Sequence, residues 1–317
     1  MNIKQHIANL LFQFDGWRAK RTEFSPPGLR IYVFHSLFAD EKERDSGHAF
    51  AHEGITLAQF EEFISTLKEQ GIRILGPELL EGKYDEKDGP AVLISFDDGY
   101  ANNMRALPFL ERYEVPALFC VVTKNILEQK RFWWDALAET GQNQSMRTQT
   151  DISLFMAERK GFLPEENEQW LAENYGDGIL TPARETDRPL TVEELKTFAS
   201  HPLVHIGNHA HSHPIFTKIS EERVHEEMRR SQELLGQWLG KAPSVMAWPN
   251  GNFSPETEKI AARYGIRYAL GMKRTWHSLT QDLPFSPGRV PLYGVRDIAS
   301  QLTIHSHKNS RWWGNPS

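Results

Sequence analysis

Two adjacent carboxylates are the first residues of this sequence that could do chemistry together. Asp97 and Asp98 lie in the run I-S-F-D-D-G-Y, directly after the apolar segment 91–96, which has the length and composition of a buried strand. Neighbouring side chains of an extended segment point in different directions, so the two acids need not share a role. One could bind a metal ion while the other stays free as a base. The alternative interpretation is a turn with solvated acids.

A histidine cluster provides the matching half of a metal site. His209, His211 and His213 follow the predicted strand 203–207. Histidines spaced i, i+4 can reach one ion from a helical turn, and those spaced i, i+2 can do so from an extended segment. Three alternating histidines are difficult to explain as packing, so the cluster indicates metal binding.

The two motifs together resemble a known family. S-F-D-D-G and G-N-H-A-H-S-H-P are similar to the first two motifs of the polysaccharide deacetylases, the NodB-homology domain of carbohydrate esterase family 4, and the similarity runs from about residue 29 to about residue 295. The resemblance implies that Asp97 is the general base and that Asp98, His209 and His213 hold one divalent metal ion, for which we expect zinc. Such a ligand set leaves coordination positions open, as catalytic zinc sites do.

The third motif of the family is altered here. The turn W-P-N-G stands near the place of Arg-x-Pro-Tyr and resembles a variant found in members that serve glycan assembly. The resemblance implies that the backbone N–H of Asn250 helps to hold the oxyanion. Arg289 could supply the missing guanidinium that keeps Asp97 ionised, or it could brace a loop. We expect His35, Tyr100 and Trp248 to contact the substrate.

A general acid for the departing amine is not evident from the sequence. The carboxyl-terminal Leu-x-x-His motif of the family is not clear. His305 and His307, in T-I-H-S-H, are the candidates, but a polar tail without a chemical role explains them equally well.

The elements that must position these residues alternate between strands and helices. A strand, a helix and a second strand between residues 91 and 122 have the cadence of a parallel sheet. With the resemblance, this predicts an α/β fold, a distorted (β/α)7 barrel of the polysaccharide deacetylase type.

We divide the chain into three parts. Residues 1–22 are expected to form an amphipathic helix, residues 23–300 the catalytic domain with an insertion at about 131–190, and residues 301–317 a tail. The paired Trp133 and Trp134 of the insertion either stack on sugar rings or anchor a loop in the core.

Composition limits the class of protein. The chain has 317 residues, 39% of them hydrophobic, which fits one barrel-sized domain. A net charge of -6 argues against a nucleic-acid partner. The single cysteine, Cys120, lies in an apolar run and is expected in the core. We find neither a transmembrane segment nor a convincing signal peptide, and we expect a cytoplasmic protein, with peripheral membrane association as the alternative.

The candidate metal site, together with what the family resemblance implies, predicts a metal-dependent hydrolase that removes the N-acetyl group of an amino sugar in a polysaccharide or lipid-linked glycan precursor. Water activated at the metal would attack the amide carbonyl, with Asp97 as general base. One alternative is deformylation of a formamido sugar, and another is a glycan-binding pseudoenzyme that keeps the fold. Retention of Asp97 beside Asp98 favours an enzyme, because a binding module needs no free base next to a metal ligand.

Overall fold

The computed structural model describes residues 28–80, 89–143, 149–275, 277–278 and 282–305. The helix predicted at 1–22 and the candidate acid His307 lie outside these residues.

Eight parallel strands form the central sheet, and a two-stranded parallel sheet, β2 with β3, lies beside it. Seven strands follow the order β10-β1-β5-β6-β7-β8-β9, and β4 pairs with the first half of β5. The strands are β1 (Leu29–Phe34), β2 (Leu37–Phe38), β3 (Ile55–Thr56), β4 (Arg73–Ile74), β5 (Ala91–Phe96), β6 (Ala117–Val121), β7 (Val204–Asn208), β8 (Val245–Ala247), β9 (Tyr268–Leu270) and β10 (Val290–Pro291).

Residues 285–291 connect the two ends of this order. The amide of Ala269 donates to the carbonyl of Phe285, and the amide of Gly271 donates to that of Pro287, while Val290 pairs with Tyr32 of β1. The curled parallel sheet with helices outside confirms the predicted distorted barrel of seven strands.

Helices connect most of the strands. They are α1 (Glu41–Arg44), α2 (Leu57–Glu69), α3 (Leu107–Tyr113), α4 (Thr123–Glu128), α5 (Trp133–Asn143), α6 (Gln149–Arg159), α7 (Pro164–Tyr175), α8 (Val192–Ala199), α9 (Glu221–Leu239), α10 (Pro255–Arg263) and α11 (Ile298–His305). Capping boxes at Thr56 and Thr191 begin α2 and α8. Among the described residues, no helix is both long enough and apolar enough to cross a membrane.

The sheet is buried on both faces, as a parallel sheet must be. Alternate residues of β1 divide between two clusters: Leu29 and Ile31 pack inside the barrel, and Tyr32 and Phe34 pack outside against α2. Cys120 belongs to the inner cluster and is fully buried, as expected.

The inserted region forms its own layer. Helices α5, α6 and α7 enclose a separate hydrophobic cluster, which includes Trp133, Trp134, Met156 and Leu171 and is completed by Tyr100 from the barrel. Through Tyr100 this layer is attached beside the Asp97–Asp98 turn, so it borders the site described below.

Candidate active site

The Asp97–Asp98 turn places its two carboxylates on different sides. Asp98 has φ 74° and Gly99 has φ 83°, both in the left-handed region. A Cβ on Gly99 would lie 2.9 Å from Val121 of the next strand, so only glycine fits without a shift. The glycine of the D-D-G sequence is therefore needed for the conformation of the turn, whereas the two aspartates supply its acidic groups.

The turn that carries the histidines is braced from two directions. Ala210 and His213 have φ 68° and 63°. The amide of Ala210 donates to the Asn208 side chain at 2.7 Å. The buried carboxylate of Glu227, on α9, accepts the amides of His211 at 3.0 Å and Ser212 at 2.7 Å, and it also accepts the Ser212 hydroxyl at 2.7 Å. Glu227 thus fixes the segment between the two candidate metal ligands.

Asp98, His209 and His213 converge on one point. Oδ1 of Asp98 lies 3.5 Å from Nε2 of His209 and 3.4 Å from Nε2 of His213. The ligand atoms of the three residues lie within 4.8 Å of one another. Neither carboxylate oxygen of Asp98 accepts a hydrogen bond from any of the described residues, although both are buried. Buried carboxylate oxygens without donors are costly unless a cation binds them, so the donor set fits a divalent ion.

The protonation states of the histidines agree with this fit. Burial lowers the pKa of His209 to about 4 and the pKa of His213 well below its usual value, so both rings are neutral at physiological pH. Nδ1–H of His209 donates to the carbonyl of Ala247 at 2.8 Å, which leaves Nε2 as the free ligand atom. Burial raises the pKa of Asp98 to about 7 in the metal-free site.

Asp97 is held differently from its neighbour. Both terminal nitrogens of Arg289 donate to its two oxygens, each at 2.7 Å, and this guanidinium also donates to Ser95 and to the carbonyl of Gly271. Burial would raise the pKa of Asp97, but the adjacent guanidinium outweighs it and holds that pKa well below the usual range. Asp97 is therefore ionised at neutral pH.

A pair of stacked imidazoles lies beside Asp98. The rings of His35 and His52 are 4.2 Å apart and nearly parallel, and Nδ1 of His35 donates to Glu53 at 2.8 Å. Burial opposes the charge on His35, but Glu53, with Asp98 and Asp97, raises the pKa of His35 to about 9. His52, whose Nε2 is 4.0 Å from Asp98, has a pKa lowered well below its usual value by burial and by His35.

These groups share one pocket of about 360 Å³. The turn after β8, in which Asn250 has φ 55°, also lines the pocket, with Trp248 and Met272. The insertion contributes an apolar wall with one cation, formed by Trp133, Trp134, Met156, Ala157, Lys160, Phe162 and Pro164. Trp133 and Trp134 are largely buried and also line the pocket, so the two interpretations of this pair are not exclusive.

Tyr100, which we expected to contact the substrate, lies behind the pocket wall instead of at its surface. Tyr100 is fully buried and does not line the pocket. Its hydroxyl donates to Asp135 and accepts from Nε1 of Trp134, both at 2.8 Å, so it supports the pocket wall from behind.

His305 does not reach the pocket either. It ends α11 and packs near Tyr32, on the outer face of β1. Leu302 and Ile304 of the same helix are buried, so the chain beyond residue 300, expected as tail, continues in a packed helix to His305. The other expected site residues, Asp97, Asp98, His209, His213, Arg289, His35, Asn250 and Trp248, all border the same pocket.

His52, Glu53 and Lys160 are pocket or support residues that the sequence did not reveal. His52 and Glu53 lie in a polar stretch typical of a loop, and Lys160 directly follows α6 of the insertion. Neither position carries a motif or a periodicity that predicts a place in the pocket.

Comparison with known proteins decides the family. The family model described as polysaccharide deacetylase matches residues 84–269, more than half of the chain. The chain belongs to the polysaccharide deacetylase family. This polysaccharide deacetylase is 21% identical to YxkH of Bacillus subtilis (strain 168) over 86% of its own length and 72% of the relative. It is 35% identical to YlxY of the same organism over 57 residues, which are 18% of each protein.

Solved structures share the fold of this polysaccharide deacetylase. The deacetylase PplD of Streptococcus pyogenes, in complex with acetate, has a TM-score of 0.60 at 17% identity, over 88% of this chain and 98% of the other. IcaB from Ammonifex degensii has a TM-score of 0.59 at 17% identity, over 90% and 99% of the two chains. Family membership implies hydrolytic removal of acetyl groups from a carbohydrate.

Proposed function

We propose that this chain is a metal-dependent N-deacetylase of an amino sugar in a polysaccharide or glycan precursor. The observation that carries the proposal is the contrast between two adjacent acids. Asp98 faces two neutral histidines with both oxygens free of donors from the described residues, whereas Asp97 is bound by Arg289. A site built only to bind a glycan has no need of that arrangement.

Asp98, His209 and His213 would hold the ion. A divalent ion there, for which we propose zinc, would supply the Lewis acidity that acidifies a water and polarises the amide carbonyl. His209 is fixed for this task by its bond to Ala247, and His213 by the turn that Glu227 braces.

Asp97 acts as the general base in this proposal. Its carboxylate lies 3.8 Å from Nε2 of His209, at the edge of the metal site. Arg289 keeps it ionised without occupying the site, because the guanidinium approaches from the β9 and β10 side, where it also contacts Gly271. Asp97 would accept the proton of the attacking water.

His35 acts as the proton donor to the departing amine. It takes the role for which His305 and His307 were the sequence candidates, because it lines the pocket and is held protonated by Glu53. The backbone N–H of Asn250, which also lines the pocket, would donate to the oxygen of the former carbonyl.

The test separates metal binding from proton transfer. Wild type, Asp97→Asn and Asp98→Asn are purified, and bound zinc and the acetate released from N-acetylglucosamine oligomers are measured for each. We expect Asp97→Asn to keep about one zinc per chain and to lose at least about a hundredfold in kcat, as loss of a general base does. Asp98→Asn should lose both.

Two results would contradict the proposal. One is unchanged turnover in Asp97→Asn, and the other is zinc retained at wild-type affinity in Asp98→Asn. A matched N-formyl sugar, assayed for formate, tells a deacetylase from a deformylase, because the residues around the metal are the same for both reactions.

A further inference from the structure

A second cavity adjoins the pocket at the candidate metal site. This cavity has a volume of about 490 Å³ and shares Lys160, Phe162 and Ile215 with the first. Lys218, Ser220 and Arg223 line the second cavity only. A glycan whose acetylated sugar lies at the metal could therefore reach the second cavity with its neighbouring group, passing over Lys160.

Lys160 lies between the two cavities and forms no ion pair with another described residue. Lys160 lines the same pocket as Asp98, His52 and His213. Among the ion pairs formed by the described residues, Lys160 takes part in none, whereas Lys124 is paired with Glu168 at 2.6 Å. Lys160 is an exposed residue that lines both cavities, and an ammonium without an anion partner attracts anionic ligands.

The other charges of the second cavity are largely committed. Arg223 is bound to Glu165 at 3.1 Å and Glu227 at 3.0 Å, and Glu166 accepts the amide of Leu163 at 2.7 Å. Lys218 lines the second cavity as well, and its ammonium donates to the backbone carbonyl of Lys160 at 3.2 Å.

The charge balance of the metal site adds to this attraction. Asp97 is paired with Arg289, and His35 is paired with Glu53, so each pair is close to neutral. A divalent ion carries one charge more than Asp98 removes, and Lys160 adds another. The filled pocket would therefore be positive and would attract anions.

We propose that Lys160, together with Lys218 of the same second cavity, binds a phosphate ester of the substrate, so that the substrate is an acetylated amino sugar carrying a phosphate group next to the sugar that reacts. Lysine binds phosphate as a point charge, without the planar fork that favours arginine for carboxylates. Phe162 and Ile215 provide the apolar surface on which the sugar between the two sites lies. This inference rests on the proposed function.

The first experiment compares acetate release from three matched compounds. They are the methyl glycoside of N-acetylglucosamine, N-acetylglucosamine 1-phosphate, and the methyl ester of N-acetylglucosamine 1-phosphate, which is a phosphodiester. The decisive number is kcat/KM for each phosphate compound divided by that for the neutral glycoside. Wild type should prefer the phosphates by about ten- to a hundredfold, as a charge-assisted contact gives. Lys160→Met should bring this ratio close to one, and Lys160→Arg should keep most of it.

Lys68→Met is the matched control, because Lys68 is an exposed lysine in the last turn of α2. It should keep the wild-type ratio. A wild-type ratio of one, or an unchanged ratio in Lys160→Met, overturns the proposal. If the enzyme prefers both phosphates equally, the substrate can be a precursor linked through a phosphodiester. If it prefers the monoester alone, the substrate is a free sugar phosphate.

A binding measurement separates this inference from the proposed reaction. Trp133 and Trp134 line the pocket, so tryptophan fluorescence of metal-free protein reports binding of the 1-phosphate without turnover. Lys160→Met should raise the Kd by about ten- to a hundredfold, and added salt should weaken binding to wild type. If no compound releases acetate but this difference in Kd is present, the proposed reaction is wrong and the phosphate site stands. Equal Kd values for wild type and Lys160→Met overturn the site.

Discussion

Asp97 and Asp98 are adjacent in the chain, yet their surroundings shift their pKa values in opposite directions. Arg289 lowers the pKa of Asp97 against the effect of burial, whereas burial raises the pKa of Asp98 to about 7. Groups whose environments separate their pKa values in this way commonly divide the labour of a reaction. The opposite pKa shifts therefore support Asp97 as the base and Asp98 as the metal ligand.

Replacing Arg289 by methionine should move the acid limb of the kcat/KM profile to higher pH. Without the guanidinium, burial alone acts on Asp97 and raises its pKa, so the base becomes ionised only at higher pH. The buried acid would also lose its partner, at a cost of about 3–5 kcal/mol in the free energy of unfolding. Arg112→Met, which breaks an exposed pair with Glu61, is the control and should change neither quantity appreciably. An unshifted acid limb would show that Arg289 does not act on the base.

Glu53→Gln should move the alkaline limb of the same profile to lower pH. Glu53 is the main group that raises the pKa of His35 to about 9. With the partner removed, burial lowers that pKa, and His35 loses its proton at a lower pH. A profile whose alkaline limb stays in place would exclude His35 as the proton donor.

At the scale of elements, the histidine turn depends on α9 rather than on its own sequence. Ala210 offers no hydroxyl to brace the turn, and the buried Glu227 accepts two amides and a hydroxyl of residues 211 and 212 instead. Helix α9 thus holds the distance between His209 and His213.

Glu227→Gln should weaken zinc binding by about ten- to a hundredfold, as loss of a group that orients metal ligands does. The glutamine amide has only one acceptor oxygen, and its NH₂ group would face N–H and O–H donors of residues 211 and 212. The turn would lose part of its support, and the spacing of His209 and His213 would relax. Zinc affinity is measured by competition with a chelator. Glu233→Gln, on the exposed face of the same helix, is the matched control. Equal zinc affinities in the two variants would contradict the assignment.

At the scale of the whole molecule, the residues brought together are those that leave the carboxyl ends of parallel strands. Asp97 after β5 and His209 after β7 could be placed at one site from sequence because such ends share one edge of the sheet. For Arg289 the sequence left two roles open, the partner of Asp97 and the brace of a loop. Its approach to Asp97 depends on how residues 285–291 connect β9 with β1, which the sequence does not reveal.

The remaining pocket residues could not be placed from sequence. His52 and Glu53 reach the site through an irregular segment between β2 and β3, and Tyr100 turns away because Asp135 and Trp134, from the insertion, bind its hydroxyl. Contacts of this kind depend on the packing of irregular segments, for which no periodicity gives a signal.

Zinc should stabilise the whole fold, and more so as the pH rises. Ligands that bind only the folded state raise its stability in proportion to RT ln(1 + [L]/Kd). Protons compete for Asp98 below its pKa of about 7, so the zinc-induced rise in Tm should be larger at pH 8 than at pH 6. Asp98→Asn should show little rise at either pH. A rise in wild type that is independent of pH would place the ion elsewhere.

The central claim is that one ion at Asp98, His209 and His213 makes this polysaccharide deacetylase active. The most direct measurement is a titration of metal-free protein with zinc, in which acetate release from N-acetylglucosamine oligomers is followed in the same sample. We expect no activity without metal, a linear increase, and a break at about one zinc per chain. Full activity of the metal-free protein, or activity that does not follow zinc occupancy, would contradict the claim.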